Sequence, residues 1–415
     1  MQESIDLPVT TSLDDRVTAH GWLAFILCFF SNALGGTVST LMSVYLPTVV
    51  RELLGDVDIQ RLAEVSAYIN ALYILGWTAG GLTWGAISDR IGRVRALSLA
   101  VAFDGLFTLA TAFATNWETV VVLRILSGFG VGGVLVISAT LLSEILPGRW
   151  RAVLIGILSI GFPVGIFSAG LVNVLFADWR AGFHVGIIPL VIGLMIIWTV
   201  KESDQWKANK ASSANPGRSV FSLADRMNIV RGSLVFGTML IGLWAIFSWL
   251  PTWVQSLLTD GDGQRERGLS MMLLGAGGLT GGFFSGWVAN AIGLRKAMMI
   301  CFAACMVLSF LLFKLNATFS WIIFPEIAGL AIFFGISQGL LSTYIPGLFP
   351  TAIRATATGI CFNVGRIFTA ASVFFVGALV IVLGGYGNAI FTFSFVFIAG
   401  FALLYFAPAG QSDKK

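Results

Sequence analysis

The chain has 415 residues, of which 57% are hydrophobic and only 11% charged, with a mean hydropathy of +0.88. Soluble domains carry about 25% charged residues, so the composition excludes a water-soluble globule. A net charge of +4, two histidines and four cysteines inside apolar runs argue against a nucleic-acid surface, a histidine-rich metal site and a disulfide framework.

The first 20 residues are polar and acidic, so no cleavable signal peptide is expected. A bilayer core of about 30 Å needs roughly 20 apolar residues per helix. Twelve segments meet that length: 21–49, 63–84, 96–115, 118–143, 153–176, 182–200, 233–257, 269–289, 297–315, 321–347, 357–383 and 388–407. They predict an all-α membrane protein with twelve transmembrane helices in two pseudo-symmetric six-helix bundles. The polar stretch at 201–231 divides the helices six and six. The expected organisation is an N-terminal bundle at 1–200, a linker at 201–232 and a C-terminal bundle at 233–415.

With the N-terminus inside, seventeen of the 25 Lys and Arg residues fall on the inner side and six on the outer, leaving Arg124 and Arg366 in helices. That bias places both termini and the linker in the cytoplasm.

The two halves repeat. Gly76, Gly80, Gly81 and Gly85 recur 201 positions later as Gly277, Gly281, Gly282 and Gly286. Pro147, Arg151 and Gly156 recur at an offset of 203 as Pro350, Arg354 and Gly359. Two matches in register at inner loops signal a 6+6 duplication, which in a membrane means two bundles facing each other across a central path.

The turn GAISDRIGRVR at 85–95 follows the glycine ladder. Glycines at 76, 80 and 85 allow close approach to a neighbouring helix. Asp89 is placed to meet a helix N-terminus of the other half, and Arg90 and Arg93 to pair with acids at adjacent helix ends. The turn resembles the signature inner loop of the major facilitator superfamily, filled here by Gly85, Asp89, Arg90, Gly92 and Arg93. The resemblance covers essentially the whole chain. It implies a loop that latches the outward-facing state without touching substrate. The second copy has Asn290 for Asp89 and Leu294 for Arg93, so the latch belongs to the first half.

RILSGFGVGG at 124–133 resembles the superfamily's fourth-helix motif. An arginine at such depth costs about 2.5–3.5 kcal/mol on insertion scales and needs compensation. Two readings stand: a buried structural pair with Asp104 at similar depth, or an Arg124 facing the cavity for coupling or anion binding. SEILPGRWRAV at 143–153 resembles the inner motif between the fourth and fifth helices, adding Glu144 and Arg151 to the latch. GFPVG at 161–165 only partly resembles the glycine-proline motif of proton-driven drug exporters, because Phe162 intervenes.

In the seventh segment Trp244, Phe247 and Ser248 share one face and are candidate substrate contacts; Trp249 and Trp253 share another. Glu326 opens the tenth segment, and a desolvated carboxylate there suits proton coupling, with Asp104 as the second candidate. In CFNVGRIFTA at 361–370, Arg366 lies near the middle of the eleventh segment with Asn363 on the same face. A buried arginine offers a fork of donors suited to a carboxylate. This stretch resembles the proton-coupled organic-acid branch of the superfamily. That branch often has an acid in its first helix, where this chain has Asn32.

The reading is a secondary active transporter that moves a small organic anion with a proton by alternating access. Arg366, Asn363, Asn32 and Arg124 are the expected polar substrate contacts. No phosphate-binding Gly-x-x-x-x-Gly-Lys loop is present, so the energy source is an ion gradient. No cofactor, metal or nucleic acid is expected, and no catalytic constellation marks an enzyme. The expected form is a monomer in a bacterial inner membrane. Proton-coupled drug export and sugar uptake are the alternatives within transport; a membrane sensor or enzyme is the remote one.

Overall fold

In hydrocarbon the backbone must satisfy its own hydrogen bonds, so a chain this apolar folds as helices. The computed structural model describes residues 17–55, 58–211, 222–259, 261–350 and 353–406. The polar N-terminal stretch with Arg16, the part of the linker with Arg218, and the terminal Lys414 and Lys415 lie outside the described residues.

The long helices are α1 (Ala19–Leu54), α2 (Ile59–Ile91), α3 (Arg93–Thr111), α4 (Trp117–Ile145), α5 (Gly148–Leu175) and α6 (Trp179–Thr199), then α7 (Leu223–Ser256), α8 (Gln264–Ile292), α9 (Leu294–Leu315), α10 (Ile323–Gly347), α11 (Arg354–Ala378) and α12 (Tyr386–Tyr405). Among the described residues, 11 helices are long and apolar enough to cross a membrane. The remaining one, α2, has 33 residues, but its glycines and hydroxyl residues dilute its hydropathy. A 3₁₀ turn at His184–Gly186 interrupts α6. The linker adds a short helix, Asp204–Ala211, where Lys207 donates to Asp204 at 2.9 Å and holds that carboxyl below its usual range. Helix α7 starts well before residue 233, because Ser222 and Asp225 form a capping box that satisfies its first amides.

Both halves have the same internal packing: α2 lies on α4 as α8 lies on α10, α1 on α5 as α7 on α11, and α3 on α6 as α9 on α12. A Cβ on Gly76 or Gly80 would fall on the carbonyls of Ile125 or Phe129, and one on Gly281 on that of Ile332. Arg151 Nη2 donates to the Leu146 carbonyl at 3.3 Å, and Arg354 Nε donates to the Phe349 carbonyl at 3.3 Å. Each duplicated arginine thus donates to the carbonyl of the residue before the duplicated proline. The α2–α3 and α8–α9 turns likewise both close on a positive-φ glycine, Gly92 at 110° and Gly293 at 83°. Gly85 differs from the expectation, because nothing lies within 4 Å of its Cβ direction, and its counterpart Gly286 is equally open.

The halves join along two seams, α5 against α8 and α2 against α11. One end of the molecule, the linker face, carries the 88–95 turn and the 200–211 segment; the other is the far face. Toward the far face Gly170 abuts Gly268 and Gly377 abuts Ala67. Gln264 donates across the seam to the Asn173 carbonyl at 2.7 Å. Toward the linker face the space beside Gly85, Gly156, Gly286 and Gly359 is open, one glycine from each seam helix.

The apolar core is continuous through the C-terminal half. In the N-terminal half it splits into two clusters. Between them runs a buried polar belt of Ser39, Asp104, Thr108, Arg124 and Ser127. Keeping charge in such a layer is costly, which marks the belt as functional ground.

Candidate functional site

The α2–α11 seam holds the most telling cluster. Arg366, from the middle of α11, is only partly buried and places its guanidinium carbon 5.1 Å from the centre of the Trp77 ring on α2. Arg366 Nη1 donates to Asn363 Oδ1 at 3.3 Å, and Asn363 Nδ2 donates to its own helix at Gly359. Gly81 makes this possible: a Cβ there would sit 2.9 Å from Asn363 Oδ1 and 3.5 Å from Arg366 Nη1. Among the described residues no carboxylate lies within 4 Å of Arg366.

The Trp77 ring leads from this arginine into a chain of aromatic side chains. Trp77 stacks on Phe162 of α5 at 5.7 Å and meets Trp244 of α7 edge-on at 5.3 Å. Trp244 continues to Phe247 at 6.0 Å, and Phe247 to Phe334 of α10 at 5.9 Å. The expected face of α7 therefore joins the cluster, while Trp249 donates to the Val373 carbonyl and Trp253 packs on Phe313. Ser248 contributes its carbonyl to Asn70 at 3.4 Å. Trp77 and Phe162 were not anticipated. Their signal was present, an indole inside a glycine ladder and a phenyl inside Gly-x-Pro, but neither oddity says which way a ring points.

In the polar belt the Arg124 guanidinium lies 4.0 Å over the Tyr73 ring, whose hydroxyl bonds Ser39 at 2.6 Å. Asp104 accepts from Ser127 at 3.0 Å and Thr108 at 3.5 Å. Arg124 and Asp104 make no ion pair within 4 Å, so a direct structural pair is not what the fold builds. Ser127 is one turn after Arg124 and reaches Asp104 first, while the Tyr73 face takes the guanidinium. Arg124 Nε and Nη1 are left without hydrogen-bond partners.

Two other candidates lie elsewhere. Asn32 Nδ2 donates to the Leu158 carbonyl at 2.7 Å, which pins α1 to α5. Glu326 accepts from Asn316 Nδ2 at 2.8 Å in the far-face loop, where Asn316 also closes the end of α9. The fold does not bring Glu326 to the aromatic cluster, because it occupies the first turn of α10.

At the linker face Arg93 Nε donates to Glu144 at 3.1 Å, and its Nη1 pairs with Asp89. No partner from the other half meets Asp89 among the described residues; its carbonyl accepts from Trp206 at 2.9 Å. Arg90 is exposed. Glu202, which sequence reasoning passed over, accepts from the backbone amides of Arg93 at 2.9 Å and Val94 at 3.1 Å. It caps α3, whose N-terminal amides favour a negative group. The latch residues thus gather on one half and its linker.

Residues 22–368 match the family description of the Major Facilitator Superfamily. The chain is 31% identical over 392 residues to a protein of Cupriavidus pinatubonensis named as a probable 4-methylmuconolactone transporter, covering 90% of this chain and 86% of that one. It is 26% identical to a cis,cis-muconate transport protein of Acinetobacter baylyi, covering 85% and 86%. Its fold matches the crystal structure of a D-xylose-proton symporter with a TM-score of 0.76 at 17% identity, covering 95% of this chain and 99% of that one.

Proposed function

The chain belongs to the major facilitator superfamily, integral membrane transporters and not enzymes, and from that premise we propose that it imports a small organic anion with a proton by alternating access. The observation that carries this reading is Arg366, an arginine in the seam that faces the Trp77 ring and the Asn363 amide but, among the described residues, no carboxylate. A guanidinium binds a carboxylate through two parallel N–H donors. The Trp77, Phe162 and Trp244 rings suit the flat, unsaturated body of an organic acid. Relatives named for 4-methylmuconolactone and cis,cis-muconate support the same chemistry.

In this reading Arg366 and Asn363 hold the carboxylate, and Trp244 and Phe247 pack its apolar part. Asp104 is the preferred proton carrier, since hydroxyls and not a guanidinium hold it. The linker face is cytoplasmic by the positive-inside rule, so an open linker face corresponds to the inward-facing state of a bacterial plasma-membrane monomer. The expected bodies are 1–200 and 233–415, joined by 201–232.

The test is uptake by purified protein in liposomes under an imposed pH gradient, across carboxylates, sugars and cationic drugs. Acid-outside accumulation of an unsaturated carboxylate is expected. Proton-driven movement of cationic drugs with no carboxylate movement would overturn the reading.

A further inference from the structure

Arg267, in the first turn of α8, is 2% exposed and sits where the halves close at the far face. Its Nη1 donates to the Gln255 side-chain oxygen at 2.9 Å and to the Asp262 carbonyl at 2.5 Å. Its Nη2 reaches the Thr48 hydroxyl of the other half at 3.3 Å. All three acceptors are neutral, and Nε has no partner. The Asp262 carboxylate turns away to cap the Gln264 amide at 3.1 Å. No ion pair within 4 Å neutralises this buried guanidinium among the described residues. A buried cation without a paired counter-ion is costly.

Across the seam Asn173 is fully buried, and neither side-chain atom makes a hydrogen bond. Its Oδ1 lies 3.1 Å from where a Cβ on Gly268 would sit, next to Arg267 in the chain. A pocket of about 390 Å³ is lined by Val174 and Glu266, the chain neighbours of Asn173 and Arg267, with Leu258, Asp262, Gln264 and Arg265.

We propose that Arg267 and Asn173 form a vestibule site for the carboxylate of the incoming substrate, used when the far face is open. The proposal rests on the organic-anion reading above. Parting the halves breaks the Thr48 contact and frees Arg267 Nη2 on one lip, opposite the unpartnered Asn173 side-chain amide on the other. A carboxylate bound between them supplies the missing charge. Closure returns the guanidinium to Thr48, Gln255 and the Asp262 carbonyl, and the anion moves inward to Arg366.

The test measures carboxylate transport from each face separately, in intact cells and in inverted vesicles. Arg267→Gln removes the charge; Asn173→Asp keeps the shape and supplies the counter-ion internally. Each is expected to raise the half-saturating concentration from the far face about tenfold, the loss of one charged hydrogen-bonded contact, with no change from the linker face. Equal changes from both faces would reduce Arg267 to a closing contact and overturn the proposal, as would no change in either variant. If wild-type protein moves carboxylate, Arg366→Ala abolishes it and both variants behave as wild type, the vestibule site alone fails. If wild-type protein moves no carboxylate, the organic-anion reading fails first.

Discussion

The Arg366 guanidinium lies 5.1 Å from the centre of the Trp77 indole, although the two residues belong to opposite halves of the molecule. The contact spans the α2–α11 seam, so the candidate site draws on both halves. A cation over an indole face contributes about 0.5–2 kcal/mol, rising with desolvation. Trp77→Ala is expected to weaken carboxylate binding by roughly tenfold, and Trp77→Phe by less. Arg366→Ala should abolish binding and Arg366→Lys should only partly restore it, since an ammonium lacks the planar fork. Unchanged affinity in Trp77→Ala, read by equilibrium binding, would remove the indole from the site.

Asp104 and Glu326 make opposite predictions. Asp104→Asn keeps an oxygen for Ser127 and Thr108 but cannot carry a proton. It should retain substrate exchange and lose uphill accumulation under a pH gradient. Glu326→Gln still accepts from Asn316 and should accumulate substrate normally. Accumulation by the Asp104 variant would transfer the proton to another group.

The glycine ladder divides into packed and open members. A Cβ on Gly281 would meet the Ile332 carbonyl, and one on Gly165, outside the ladder on α5, the Ala33 carbonyl. Overpacking of this kind costs about 1–3 kcal/mol, so Gly165→Ala and Gly281→Ala should lower the melting temperature of the purified protein. Gly85→Ala and Gly286→Ala meet nothing within 4 Å and should melt as wild type. If the open linker face closes on these two glycines during transport, both variants should still slow turnover. Normal turnover in both would show that the closed state leaves room beside them.

Glu202 accepts two backbone amides at the start of α3. Glu202→Ala removes a helix cap worth about 1 kcal/mol and loosens the turn that carries Arg93 and Gly92. A modest fall in thermal stability is expected, with substrate affinity retained. A large loss of affinity with normal stability would assign Glu202 a direct role instead.

Much of the fold was legible residue by residue. The recurring glycines announced close approach to a neighbouring helix, and the structure identifies the neighbours as α4 and α10. The recurring Arg151 makes its hydrogen bond twice, to the residue before the recurring Pro147, because a proline turn followed by a basic side chain is local chemistry. Individual site residues were harder to read. Asn32 and Glu326 are polar residues in apolar segments, as Arg366 is, yet one bonds a neighbouring helix and the other a loop. Their sequence contexts look alike; their partners are far away in the chain.

Apolar length, charge bias and internal repetition determined the membrane class, the helix count and the duplicated architecture, since each follows from the cost of placing polar groups in lipid. Only the tertiary structure decided that Trp77 covers the arginine and stacks on Phe162, that Arg124 faces Tyr73 and not Asp104, and that Arg267 is buried at the seam with no ion pair among the described residues. Those outcomes depend on how helices rotate and cross. That geometry is set by close contacts between distant residues, such as Gly81 with Asn363 and Gly170 with Gly268, which helical periodicity does not encode.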